Sequence, residues 1–440
     1  MGSGQLRRPC IEGEGEIRMM NLIAKLEAHP QITDYKLNIR EKESYELFFV
    51  KGALETVRST DTCDRKVTVY VDHDGYKGDA QFFVYASTTE EQLKSLMDQA
   101  VEKALLINNK TYELPQEDHA EYTVESNFPD YKPMELATRI SQLVFESNTV
   151  EHGGLNAVEI FINKYHDTVI NSKKLHKTQI RYDAMVEAIP TYNGETQSVE
   201  LYEQYNFSSL DENALKEEIS RKMKEVKARY EAVTPDFEIS GDVILNKLEL
   251  NTLFSTMAYD LNYASVYSHT NLFKKGDSFQ NNRSGDPIGI TMKGQVEGCV
   301  ESAGFDGDGI SLDQCRIVED GKVMNYYGSN RYGQYLGEQP TGNLGCLCVD
   351  AGSFEDSDFT SGLEVVSMSG LQVDFYNDYI GGEVRLGYYY KEGKRIPVTG
   401  ISITGKLRDI LNNIRLSKAA AIHDGYAGPE KACLKHMKIF

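Results

Sequence analysis

The nine histidines of this chain, at positions 29, 73, 119, 152, 166, 176, 269, 423 and 436, include no pair three or four residues apart, and none is followed by glutamate. A helical zinc site for hydrolysis needs two imidazoles about one turn apart, so that both reach one ion, with a glutamate beside them as base for a metal-bound water. No single stretch supplies that set. His73 lies between Asp72 and Asp74, but Gly75 follows, and Asp-Gly hairpin chemistry accounts for the cluster. Asp306, Asp308 and Asp313 could offer oxygens to Ca²⁺, although aspartates interleaved with glycines first read as turns. Gly304, Gly307 and Gly309 are spaced by those aspartates, which would repel phosphate, and neither G-x-S-x-G nor G-x-x-x-x-G-K-[ST] occurs.

The seven cysteines (Cys10, Cys63, Cys299, Cys315, Cys346, Cys348 and Cys433) are odd in number and form no C-x-x-C pair, so they read as reduced thiols. Cys346 and Cys348 flank Leu347 in a strand, with both thiols on one face, where they read first as small buried residues and otherwise as a metal or redox pair. Tyr326, Tyr327, Tyr332 and Tyr335 crowd near Arg331, and Tyr388, Tyr389 and Tyr390 follow later. An enzyme with its site in this acidic, tyrosine-rich C-terminal region could grip a carbohydrate or peptide through such aromatic faces; the other reading is tyrosines that fill strand and interface positions.

The elements that position these residues are read from periodicity. The 440 residues, 40% hydrophobic and 26% charged, suit a soluble protein of two or three domains. With 67 acidic against 47 basic residues, the net charge of −20 would repel a phosphate backbone, which argues against nucleic acid as a partner. No apolar run approaches the roughly 20 residues that span a bilayer, and the N-terminus lacks a hydrophobic signal core, so no membrane and a cytoplasmic location are expected.

The order expected is a flexible tail over 1–15, a first α+β domain over 16–110, a linker over 111–131, a second α+β unit over 132–234, a β-rich C-terminal domain over 235–420 and a tail over 421–440. The fold class is α+β, with β-meanders and packed helices leading into the β-rich region. Helix 17–28 precedes short strands at 35–40, 45–50, 54–59, 67–71 and 80–86. Thr88 and Glu91 suggest a capping box for a helix reaching 107, Pro133 opens another to 148, and Ser209 with Glu212 opens a third. Strands at 158–163, 168–171, 178–188 and 197–206 lie between the last two. After a strand over 242–246, a helix over 248–267 carries an apolar stripe of Leu250, Leu253, Phe254, Met257, Ala258 and Leu261.

In the block from 381 to 414, Val384, Leu386, Tyr388 and Tyr390 alternate as a strand, a turn follows at 391–394, and Ile396, Val398, Ile401 and Ile403 continue as strand positions. Leu407, Ile410, Leu411 and Ile414 then switch to helical spacing. This block resembles the end of the TldD/PmbA family, long labelled modulators of DNA gyrase. Four further motifs occur in the family's order: Gly285-Asp286-Pro287, Phe305-Asp306-Gly307-Asp308-Gly309, the hairpin 318–323, and Thr341-Gly342-Asn343.

The resemblance implies roles, structural or peptide-binding, for Asp286, Pro287, Asp306, Asp308, Gly309, Thr341, Gly342, Asn343 and Gly405. It implies the branch similar to PmbA/TldE, because the TldD branch carries H-E-x-x-x-H on the helix where this chain reads Asn251-Thr252-Leu253-Phe254-Ser255-Thr256. In the TldD branch a cysteine near the C-terminus joins those histidines at zinc, and Cys433 is its counterpart here, expected to bind nothing without them. Expected, therefore, are no catalytic and no metal-binding residues in this chain, zinc only in a TldD-like partner, and a dimer with that partner or with itself. The substrate implied is a peptide or unfolded chain. Departures from the family pattern lie at 377–383, at Gly405-Lys406-Leu407 where the family prefers Gly-Asn-Leu, and after Ala420.

Overall fold

A computed structural model describes residues 14–440, with side chains from Met19 onward. The tail expected over 1–15 lies almost wholly outside the described residues, and α1 (Glu14–Ala28) is the first element. Then come β1 (Asp34–Val50), β2 (Ala53–His73), β3 (Tyr76–Val84), α2 (Glu90–Ala104), β4 (His119–Thr123) and α3 (Pro133–Glu146). β5 (Gly153–Asn171), β6 (His176–Asn193), β7 (Ser198–Glu200), β8 (Glu203–Phe207) and α4 (Glu212–Glu231) complete the N-terminal half.

These strands form one eight-stranded sheet in the order β3-β2-β1-β5-β6-β4, with β7 and β8 also on β6. The two α+β units expected over 16–110 and 132–234 are therefore one domain, and the expected linker contributes β4, which pairs in parallel with β6. The short strands read from the sequence merge into long ones. The charged residues that suggested breaks are matched directly across the sheet, Arg40 opposite Asp167, Glu41 opposite His166 and Glu43 opposite Lys164. Opposite charges at directly opposed positions sustain a strand that alternation alone would end.

The odd-numbered side chains of β1 carry the core. Tyr35 and Leu37 pack with Leu22, Leu26, Leu93 and Met97 of α1 and α2. Leu47 packs with Leu136, Ile140 and Leu143 of α3 and with Ile219, Met223 and Val226 of α4. The even-numbered residues of β1 face the other way. Two helix starts differ from expectation: Thr89 and Gln92 form the capping box of α2, and Asp211 caps α4 by accepting from the Asn213 and Ala214 N–H groups, both at 3.0 Å. In each case the donors that need a partner begin one or two residues later than the motif suggests.

The C-terminal half runs β9 (Asp242–Asn246), α5 (Lys247–Asp260), α6 (Tyr263–Tyr267), β10 (Ile290–Lys293), β11 (Gln314–Glu319), β12 (Lys322–Val323), α7 (Asn330–Leu336), β13 (Cys346–Val349) and β14 (Gly362–Met368). It continues with β15 (Gln372–Asp374), β16 (Tyr379–Lys391), β17 (Lys394–Val398), β18 (Ile401–Lys406), α8 (Leu407–Asn413) and β19 (Arg415–Leu416). The last strands are β20 (Ala420–His423), β21 (Tyr426–Pro429), β22 (Lys431–Leu434) and β23 (Lys438–Ile439). A six-stranded sheet (β12-β11-β10-β13-β21-β20) and a nine-stranded sheet (β19-β22-β9-β14-β16-β18-β23, with β15 and β17 on β16) share one core. Ile290, Ile317 and Leu347 enter it from the first sheet, Val243, Val365, Val384 and Ile403 from the second.

The expected tail over 421–440 is thus corrected. β22 lies between β19 and β9, where Ala432 and Leu434 are fully buried, and β21 runs parallel to β13. Strands of two to four residues leave no periodicity to read, and tertiary pairing alone fixes them. The expected helix over 248–267 is two helices, because Asn262 caps α6 through the Ala264 N–H at 3.0 Å, while the Asp260 carboxylate accepts from Leu272 and Phe273 N–H at 2.7 and 3.0 Å.

Candidate functional site

α5 is the helix on which the resemblance places catalytic chemistry. Leu250, Leu253, Phe254, Met257, Ala258 and Leu261 are all buried, as their spacing predicts. Thr252, Ser255 and Tyr259 face outward, Tyr259 with 70% of its surface exposed. Thr256 Oγ1 donates to Thr252 O at 2.8 Å and Ser255 Oγ donates to Asn251 Oδ1 at 2.9 Å, so the polar groups are occupied along the helix itself. Cys433, on β22 beside β9, donates to Asp242 Oδ2 at 3.6 Å. Burial, with Asp242 adding to it, pushes its thiol up to about 12. Hydroxyls, an amide and a protonated thiol are poor zinc donors. Among the described residues no three His, Cys, Asp or Glu side chains converge to hold an ion, so this helix does not fit the zinc that the resemblance places in the TldD branch.

The motif residues are brought together by the Asp306 carboxylate. One oxygen accepts from the Asp308 and Ile310 N–H groups at 2.9 and 3.0 Å, closing the turn. The other accepts from Asn343 N–H at 3.0 Å. Thr341 Oγ1 in turn accepts from Gly328 N–H at 2.9 Å. Gly342 has φ +74°, and a side chain there would meet Leu312. Burial, with Asp308 nearby, raises the Asp306 carboxyl above the usual carboxylate range.

The same turn docks the C-terminal half onto the sheet of the N-terminal half, on the face away from the helices. Lys36 on β1 pairs with Asp308, and Asn38 Nδ2 donates to Gly307 O at 2.9 Å. Gln179 Oε1 on β6 accepts from Gly304 N–H at 2.8 Å, and Tyr122 packs against Phe305. Leu175 sits where any side chain at Gly309 would lie. Asp286 works elsewhere: its Oδ2 accepts from Ser353 and Leu416 N–H at 3.0 and 2.8 Å, holding two loops together. Pro287 follows it without a side-chain hydrogen bond to offer. Gly405, paired with Ile380, lies against Ile410 and Met437 and is apart from the Asp306 cluster.

The tyrosines near Arg331 sit at a second junction of the two halves. Arg331 stacks among Tyr112, Tyr332 and Tyr335 and pairs with Asn109 of the N-terminal half, and Tyr335 donates to Lys110 O. The later tyrosines pack within the C-terminal half and onto α4, with Arg395 3.4 Å from the Tyr388 ring centre.

A third junction was not read from the sequence. Lys222 of α4, almost fully buried, pairs with Glu203 at 2.9 Å and Glu225 at 2.8 Å. Glu218 of the same helix binds Lys247 at the start of α5. Glu249, in the first turn of α5, is 6% exposed, with its Oε2 lacking a hydrogen-bond partner, and burial pushes its carboxyl up to about 7. The signal that could have found it is a glutamate adjoining the buried stripe of α5.

Fold and site together define an α+β protein whose C-terminal half is β-rich, two sheets sharing one core. Residues 239–439 match the family model of the PmbA/TldA metallopeptidase C-terminal domain. TldE from Thermococcus kodakarensis has the same fold, with a TM-score of 0.78, 15% identity, and coverage of 96% of this chain and 99% of that one. A protein described as a modulator of a DNA gyrase from Thermotoga maritima matches with TM-score 0.74 and 15% identity, covering 97% and 100% of the two chains. A similarly described protein from Bacteroides thetaiotaomicron matches with TM-score 0.74 and 13% identity, covering 98% and 99%. No curated relative matches the sequence. The C-terminal half is thus similar to the PmbA/TldA metallopeptidase C-terminal domain, and the fold of nearly the whole chain is that of these three proteins. No described helix is long and apolar enough to cross a membrane.

Proposed function

We propose that this chain is a non-catalytic, PmbA/TldE-like subunit that pairs with a TldD-like subunit and helps to close a chamber over peptide or unfolded-chain substrates. The observation that carries the reading is α5, a packed helix that presents Asn251, Thr252 and Thr256 where the resemblance would place two imidazoles and a glutamate base. Without those groups the outward face of α5 offers neither imidazole ligands for an ion nor a glutamate base for a metal-bound water.

A need for a partner is supported by the hairpin of β1 and β2. β3 runs along the outer edge of β2 from Arg65 to His73, and among the described residues no strand lies along that side of residues 53–62. Almost every residue from 51 to 62 is exposed, including Leu54 and Val57 at about half their surface. Open edges with apolar side chains are usually covered in the working assembly.

Zinc content and peptide cleavage, measured on the purified chain alone and after co-expression with a TldD-like subunit, test the reading. Zinc and cleavage only in the co-expressed sample support it. Stoichiometric zinc with cleavage in the chain alone would overturn it. A stable homodimer that gains neither from the partner would favour a homodimeric peptide-binding or ligand-binding protein, for which the same open edge of β2 also speaks.

A further inference from the structure

Cys299 and Cys346 are both completely buried, and their sulfurs are 3.1 Å apart. They come from different parts of the C-terminal half. Cys346 begins β13, opposite Lys293 of β10. Cys299 lies in the turn-rich segment between β10 and β11, where its N–H donates to Val296 O at 3.1 Å and its carbonyl accepts from Ser302 N–H at 3.2 Å. Ser302 Oγ, which accepts from Val296 N–H at 2.9 Å, is 3.5 Å from the Cys346 sulfur. The two thiols are thus held in contact by backbone bonds made by their own neighbours.

We propose that Cys299 and Cys346 are a redox-active dithiol that closes to a reversible disulfide when it meets a small hydroperoxide. A disulfide needs its sulfurs at about 2.05 Å, so the pair has about one ångström to travel and no partner to find. The remaining described cysteines do not share this arrangement: Cys315 donates to Tyr326 O, Cys433 to Asp242, and Cys63 and Cys348 are only half-buried.

The reaction balances as two steps. The thiolate of Cys346 attacks one oxygen of the hydroperoxide, the O–O bond breaks, and the departing alkoxide or hydroxide takes a proton, leaving Cys346 as a sulfenic acid. The sulfur of Cys299 then attacks the sulfenic sulfur, the S–S bond forms, the S–O bond breaks, and hydroxide leaves with the Cys299 proton as water. Two thiols lose two electrons in total, and the peroxide gains them. Cys346 is written as the attacking sulfur because it accepts the Cys299 S–H, and a hydrogen bond accepted by a sulfur favours its thiolate.

The bond would reinforce a tie that already exists. Seven residues beyond Cys299, Asp306 reaches Asn343, three residues before Cys346. The disulfide would therefore staple the two chain segments whose contact shapes the docking turn at 305–309, closing a loop between positions 47 residues apart in sequence. This inference is independent of whether the chain has a catalytic partner.

The test is hydrogen peroxide on the reduced, folded full chain, followed by alkylation and peptide mass mapping. The expected result is a Cys299–Cys346 cross-link, loss of two alkylatable thiols, reversal by dithiothreitol, and a thermal midpoint several degrees higher in the oxidised form. Cys299→Ser should let sulfenic acid accumulate at Cys346, where dimedone traps it. The wild-type mapping decides by itself should that variant fail to fold. A cross-link seen only in urea, or oxidation of Cys63 and Cys348 while this pair stays reduced, would overturn the proposal.

Discussion

Asp306 and Asn343, 37 residues apart, are joined by a 3.0 Å hydrogen bond from the Asn343 N–H to the buried Asp306 carboxylate. The carboxylate oxygen opposite closes its own turn, so one side chain holds two family motifs in one place. Removing it strands three backbone N–H groups in or near the core. Asp306→Ala should cost about 3 kcal/mol or more, and Asp306→Asn less, since the amide oxygen keeps one set of these bonds. Urea denaturation of the two variants beside wild type measures both; equal stability of all three would contradict this account.

The Lys36–Asp308 pair spans the two halves and is mostly shielded, with 11% and 27% of the side chains exposed. Lys36→Ala should lower stability by about 1–2 kcal/mol and speed limited proteolysis between the halves. A cleavage pattern unchanged from wild type would place the docking strength elsewhere.

Glu249 predicts a pH dependence. Its folded value of about 7 lies above its ordinary 4.5, because burial disfavours the charged form, with Lys222 opposing and Glu225 adding a little. The folded state therefore binds more protons than the unfolded state between these values, and stability falls as pH rises through that window. Glu249→Gln should leave stability nearly unchanged at pH 4.5 and raise it by about 3 kcal/mol at pH 8. A constant difference across the range would show that the carboxyl does not carry the effect.

α5 is held by packing. Leu253 is fully buried in the shared core of the two C-terminal sheets, and Leu253→Ala should cost about 2–5 kcal/mol through the cavity it leaves. Thr252→Ala, on the exposed face, should cost less than about 1 kcal/mol. Thermal midpoints that reverse this order would mean that the outward face is covered in solution.

Cys433 keeps its proton and faces Asp242. Cys433→Ser should leave the zinc content of a co-expressed complex unchanged, as read by elemental mass spectrometry. A loss of one equivalent would place this sulfur at the metal.

Much of this protein can be read from residue order. The block at 381–414 appears as β16, β17, β18 and α8, because alternation, a glycine turn and helical spacing are local properties that neighbours reinforce. The buried stripe of α5 and the absence of H-E-x-x-x-H were also plain, since both are matters of spacing within one helix.

What tertiary structure alone decided is where long-range pairs compensate local signals. Charges opposed across β1 and β5 turn apparent breaks into strands of 17 and 19 residues. The last twenty residues become sheet because β9 and β13 offer edges to them. Asp306 finds Asn343, Lys36 finds Asp308, and Cys299 finds Cys346 only when chain segments distant in sequence are packed together. Hydrogen bonds and ion pairs act over a few ångströms of space, and a linear spacing records them only when both partners lie on the same element.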